Sequence, residues 1–194
     1  MLTGFRAFPG VPDNPTQALV DHFRCNPGLL PDAALLALLD VDYRTVGPAI
    51  DALLAHAPAA LVLTGYSGRA KGITLEAQAS ALCAADQPDA AGFVALPEPS
   101  PILSTTIDLV RLQSVIAHHA PCALSQDAGQ YLCNFSYRHA LDRVTAQRLP
   151  TQVLFVHVPA ISGTPLAETA AASLPLDLMA AALAQIAREL AVGP

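Results

Sequence analysis

No apolar run in this chain approaches the ~20 residues that a membrane-spanning helix needs. The opening Met1-Leu2-Thr3-Gly4-Phe5-Arg6 lacks the basic start and long apolar centre of an export signal. A cytoplasmic protein with no membrane partner is expected. The four cysteines, Cys25, Cys83, Cys122 and Cys133, include no Cys-x-x-Cys pair. That argues against zinc or a redox dithiol and makes free thiols the expectation. Charge is also scarce: 13% of the 194 residues are charged, the net charge is -6, and the ten basic residues form no stripe. The electrostatic footprint of a nucleic-acid binder is missing, and a small or neutral ligand fits better. No tract is repetitive enough to be low-complexity, and no internal repeat recurs at solenoid periods.

What is present is apolar. At 53% hydrophobic, 194 residues suffice for one well-formed core, so residues 1–194 are expected to form a single domain. Apolar runs of strand length alternate with helical stretches, which argues for a layered α/β domain over a bundle or a β-sandwich. Strands are expected at Met1–Phe5, Ala33–Leu39, Ala60–Thr64, Ile73–Ala79 and Gln152–Val158, with a short central one at Cys122–Leu124. Helices are expected at Thr16–Cys25, opened by Pro15 in its first turn, at Thr45–His56, ended by Pro58, and at Ser104–Ala120. Two more run from about Gly129 to Ala146 and from Leu176 to Leu190. The stretch from Cys83 to Pro101 holds Pro88, Pro97, Pro99 and Pro101 and reads as a long loop, of the kind that serves as a lid or an interface arm.

The chemistry gathers at two sequence positions. Cys133 follows Ala128-Gly129, where glycine permits a tight turn, and stands at the start of a helix, whose dipole and unpaired N–H groups favour thiolate over thiol. His157 closes the apolar run Val153-Leu154-Phe155-Val156, at an expected sheet edge. Nucleophilic thiol chemistry needs a base beside the sulfur, and this pair supplies both. The other three cysteines read as buried structural thiols, and His118 and His119, late in a helix, as a solvated or dipole-paired face. Glu76 is the one carboxylate in Ile73-Thr74-Leu75-Glu76-Ala77. On an alternating strand it faces solvent; turned toward His157, it fixes the tautomer of the imidazole and completes a triad. Phe5 and Phe8 flank a loop followed by Asn14, either as an apolar staple over the sheet or as an aromatic pocket with an amide for hydrogen bonding. Gly65 and Tyr66 lie at the carboxyl end of a strand, where open α/β sheets collect ligands.

Together these motifs resemble the type I pyroglutamyl peptidases, also called pyrrolidone carboxyl peptidases. The resemblance rests on Thr3-Gly4-Phe5-x-x-Phe8, Asn14-Pro15-Thr16, Ile73-x-x-Glu76, Asp127-Ala128-Gly129-x-Tyr131-Leu132-Cys133-Asn134 and Phe155-x-His157-Val158-Pro159, and spans nearly the whole chain. It implies a three-layer α/β/α sandwich around a mostly parallel sheet, no cofactor, no metal, and a homo-oligomer, dimer or tetramer. It also implies that Cys133 is the nucleophile, His157 the general base and acid, and Glu76 the residue that orients His157. The substrates would be peptides with an N-terminal pyroglutamate, cleaved through a thioester. Phe5, Phe8, Tyr131 and Leu132 would line the ring pocket with Gly65 and Tyr66 beside them, and Asn14 would help hold the ring. Family members usually carry an asparagine five residues after the glutamate and an arginine ten after it; here Ala81 and Asp86 stand there. The basic residue of the glycine-containing loop, Arg69, comes one position early. These departures motivate the alternative of a catalytically weak relative that binds a pyroglutamyl or lactam ligand; a scaffold role ranks third.

Overall fold

The computed structural model describes residues 1–84, 86–95 and 100–191. In chain order its elements are β1 (Leu2–Phe5), α1 (Pro15–Cys25), β2 (Leu36–Leu39), α2 (Tyr43–Leu54), β3 (Ala60–Tyr66), β4 (Ile73–Glu76), β5 (Gln78–Ala79), β6 (Leu103–Ser104), α3 (Leu109–Ile116), β7 (Cys122–Ser125), α4 (Leu132–Gln147), β8 (Gln152–Val158), β9 (Ala160–Ile161), β10 (Ser173–Leu174) and α5 (Leu176–Ala191). Six strands form the main sheet in the order β2-β1-β3-β8-β4-β7. Every neighbouring pair in it is parallel except β4 and β8. The expected mostly parallel α/β sheet is therefore what the chain builds.

Alternation along the strands sorts side chains between two cores. Val62, Leu154, Val156, Val158, Ile73 and Leu75 face α1, α3 and α5. Leu61, Leu63, Val153 and Phe155 face α2 and α4. Because side-chain direction alternates with period two, the same parity sends His157, Thr74 and Glu76 toward the α2/α4 layer. Helices cover both faces, so a residue pointing away from one core points into the other and not into water. Glu76 is accordingly 1% exposed, and its reading as a solvent-facing residue is corrected.

Several expected boundaries move, each for a visible reason. The strand expected from Ala33 begins only at Leu36, because Pro31 opens a turn closed by Ala34 N–H donating to Pro31 O at 2.8 Å. The strand expected at Ile73–Ala79 breaks at Ala77; beyond it, β5 leaves the main sheet to pair antiparallel with β6. That pairing claims Leu103 and Ser104, so the helix expected from Ser104 starts at Leu109, with Asp108 accepting from Arg111 N–H as its cap. It ends at Ile116, which leaves His118 and His119 in the turn that follows. The Cys122 strand, expected to be central, lies at the edge of the sheet, and β8, expected at an edge, lies inside it. Of the Cys83–Pro101 loop, Pro97 and Pro99 lie outside the described residues. Its described part is tied down at Asp89, whose carboxylate accepts from the N–H groups of Tyr43, Ala91 and Phe93 at 2.8–2.9 Å. Among the described residues no helix is long and apolar enough to cross a membrane.

Candidate active site

The loop into α4 is built from side-chain-to-backbone bonds. Asp127 N–H donates to Ser125 Oγ at 3.0 Å, Gly129 N–H donates to Asp127 Oδ1 at 3.0 Å, and Gly129 takes φ +84°, a conformation that only glycine adopts without strain. Tyr131 then occupies the N-cap, where serine, threonine or aspartate would ordinarily satisfy the first N–H groups. Its hydroxyl instead donates to Pro88 O at 3.1 Å, and no side chain caps the helix. The N–H groups of Leu132, Cys133 and Asn134 are left without an acceptor among the described residues. Cys133 thus sits in the first turn of an uncapped helix, amid partial positive charge and free donors.

Across from it, His157 is held in the middle of the sheet. In the register of β8, Gly65 of β3 lies on one side of His157 and Thr74 of β4 on the other. Glu76 pairs with Phe155, two residues away on the same face, and this diagonal brings His157 Nδ1 to 2.8 Å from Glu76 Oε1. With Nδ1 engaged by Glu76, Nε2 is the ring nitrogen left without that partner. Glu76 Oε2 has no partner among the described residues. Burial alone pushes the His157 pKa down and is the largest single influence. Hydrogen bonds and charge interactions with Cys133 and Glu76 together outweigh it, and carry the value from 6.5 up to about 9.

Gly65 is where the sheet meets the thiol. A Cβ there would come within 2.7 Å of Cys133 Sγ and 2.8 Å of Phe155 Cζ, so the close approach needs a residue with no side chain. Phe155 also packs on the imidazole, with ring centroids 4.9 Å apart. Cys122, by contrast, has its thiol pushed up to about 11 by burial, as suits an inert structural cysteine. Cys25 and Cys122 form no disulfide, like Cys133.

Two hollows meet at Cys133. One is an apolar recess of about 60 Å³ lined by Phe5, Phe8, Asn14, Val41, Tyr66, Tyr131, Leu132 and Cys133. The other is an open, more polar cleft of about 600 Å³ that includes His157, Glu76, Arg69 and Asp127. Of the residues the sequence singled out for binding, six therefore wall the recess, and Gly65 lies behind the sulfur. The Asn14 amide is largely committed elsewhere. Its Oδ1 accepts from Thr16 N–H and Thr16 Oγ1, both at 3.0 Å, capping α1, and its Nδ2 donates to Arg6 O at 3.1 Å. Asn14 shapes the wall, with one amide hydrogen to spare. Val41 and Tyr137 went unrecognised. Val41 follows the carboxyl end of β2, a placement that could have flagged it. Tyr137, fully buried, donates to Glu76 O at 2.9 Å; it stands four residues after Cys133, on the same helix face, and that spacing was its signal.

The family model described as pyroglutamyl peptidase matches residues 1–192. The chain belongs to the pyroglutamyl peptidase family. A pyrrolidone-carboxylate peptidase from Thermococcus onnurineus is 29% identical over 171 residues, which is 83% of each chain. One from Deinococcus radiodurans is 31% identical over 178 residues, 86% of this chain and 80% of that one. The crystal structure of pyroglutamyl peptidase I from Bacillus amyloliquefaciens matches with a TM-score of 0.86 at 26% identity, over 98% of this chain and 95% of that one. Membership makes this chain a peptidase and a hydrolase. Of the two departures from the family pattern, Ala81 lines a separate hollow beside Tyr43 and Phe135, and Asp86 is exposed. Asn134 secures the stretch that contains Ala81. Its amide donates to Ser80 O and Leu82 O and accepts from Ser80 N–H, at 2.9–3.0 Å.

Proposed function

We propose that this protein removes N-terminal pyroglutamate from peptides, with Cys133 as nucleophile, His157 as general base and acid, and Glu76 as the orienting carboxylate. The observation that carries this reading is the placement of Cys133 in an uncapped helix turn, on the wall of the same cleft as an imidazole whose Nδ1 is 2.8 Å from a buried carboxylate. The recess takes the ring. A five-membered lactam is neutral and compact, which suits walls of Phe5, Phe8, Val41 and Leu132, whereas a charged free N-terminus would lose its hydration there with no compensating partner.

In the first half-reaction the thiol proton passes to His157 Nε2 and Cys133 Sγ attacks the carbonyl that joins pyroglutamate to the next residue. The oxyanion is held by the free N–H groups of the first turn of α4, where one such donor is worth about 3 kcal/mol of barrier. Collapse breaks the C–N bond, and the imidazolium gives its proton to the departing amine. This leaves a thioester on Cys133. A water then loses a proton to the same nitrogen as it attacks, and the proton returns to sulfur as pyroglutamate leaves.

A pyroglutamyl reporter amide tests this. Wild-type protein should release free pyroglutamate, and both iodoacetamide treatment and Cys133→Ala should abolish release. Equal release by Cys133→Ala would refute the nucleophile. Pyroglutamate binding by calorimetry with no turnover would favour the ligand-binding relative.

A further inference from the structure

The cleft beside Cys133 holds a cation that the mechanism above does not use. Arg69 stands at the corner of a turn fixed on three sides: Ser67 N–H donates to Val158 O, Ala70 N–H to Ser67 O and Ala171 N–H to Gly68 O, at 2.8–3.0 Å. The backbone that presents the side chain is therefore rigid, while the side chain is exposed and lines the cleft. Among the described residues Arg69 has neither an ion pair nor a hydrogen-bond partner. Arg6, Arg24, Arg44, Arg111 and Arg143 are each paired with a carboxylate. The acidic groups of the cleft have other partners, Glu76 on His157 and Asp127 on Gly129 N–H.

The recess and the cleft adjoin at the thiol, sharing Phe8, Tyr66, Tyr131 and Cys133, and only the cleft extends to Arg69. If the recess takes the acyl half of the substrate, the cleft takes the leaving half. We propose that Arg69 binds a carboxylate on the first residue after pyroglutamate, either its free α-carboxylate in a dipeptide or an acidic side chain. This rests on the function proposed above and adds a preference to it. A guanidinium matches a carboxylate in charge and in its forked donor geometry. On an open rim the pair should raise kcat/KM about three- to fivefold, and the gain should shrink in about 0.5 M salt.

The test compares pyroglutamyl-alanine with pyroglutamyl-alanine amide, and pyroglutamyl-glutamate amide with the same alanine amide, in wild type and Arg69→Gln. A wild-type preference for either carboxylate that collapses toward one in Arg69→Gln supports the proposal, and the responding arm identifies the carboxylate. Wild-type ratios of one in both arms, or ratios unchanged in Arg69→Gln, overturn it. The same peptides are titrated calorimetrically into Cys133→Ala with and without Arg69→Gln. Should wild type release no pyroglutamate at all, the hydrolytic reading fails, and these affinity ratios decide the Arg69 subsite by the same criteria.

Discussion

At Gly65 a single hydrogen atom separates the sheet from the Cys133 sulfur. A methyl group there meets Cys133 Sγ at 2.7 Å and the ring of Phe155 at 2.8 Å. Phe155 is fully buried and also packs at a tilt of 57° against the His157 ring, so it cannot yield without moving the imidazole. The thiol must then shift from its place beside the sheet. Gly65→Ala is therefore expected to lower kcat/KM about a hundredfold, the scale of a misplaced reacting group, while leaving the circular dichroism spectrum unchanged. Alkylation of Cys133 by iodoacetamide should slow in parallel, which reports on the sulfur independently of any substrate. Unchanged kinetics in a folded variant would show that the sulfur does not need this position.

At the scale of elements, α4 does two tasks with one face. Cys133 is in its first turn, and one turn later Tyr137 donates to the backbone carbonyl of Glu76 at 2.9 Å, fixing β4 against the helix that carries Cys133. Tyr137→Phe removes this side-chain donor from the carbonyl and should cost about 1 kcal/mol of stability, measured by urea unfolding. It should also cost about tenfold in kcat/KM, because Glu76 and then His157 lose their reference to Cys133. Leu141→Ala, buried on the same helix, provides the contrast: a larger stability loss of about 2–5 kcal/mol with kcat/KM kept in the folded protein. The 86–95 loop makes a comparable connection. Asp89 pins it to the first residue of α2, Tyr131 bonds Pro88 O, and Ala90 N–H donates to Val41 O. Tyr131 and Val41 both wall the recess. Asp89→Ala should therefore raise KM more than it lowers kcat and speed proteolysis within 86–95, whereas equal kinetics with faster proteolysis would separate the loop from the recess.

Across the whole molecule, what could be read from the sequence was what depends on period and order. Alternation in Val153–Val158 and Ile73–Glu76 fixes which face His157 and Glu76 share, once helices are known to cover both sides of the sheet. The position of Cys133 at a helix start follows from Gly129 and the apolar residues around it. Long-range pairing was not legible. Nothing local shows that Leu103 and Ser104 pair with Gln78 and Ala79, that β7 takes the edge, or that Val41 reaches the recess. The same sheet links the site to folding stability through pH. His157 has its folded pKa raised from 6.5 to about 9 by Cys133 and Glu76, against the opposing effect of burial, so the folded state holds that proton more tightly than the unfolded chain. The resulting stabilisation is fully present below pH 6.5, declines as pH rises toward 9, and is absent above it. Glu76→Gln removes one of the two influences that raise the value, so its own decline should be shallower and should end at lower pH. Urea unfolding of both proteins across pH 6 to 10 isolates this contribution, because groups common to the two cancel in the difference. The stability advantage of wild type over Glu76→Gln should be largest near pH 6, on the order of 2 kcal/mol, and smaller by pH 10. A difference that stays constant over the range would mean that Glu76 does not hold a proton on His157.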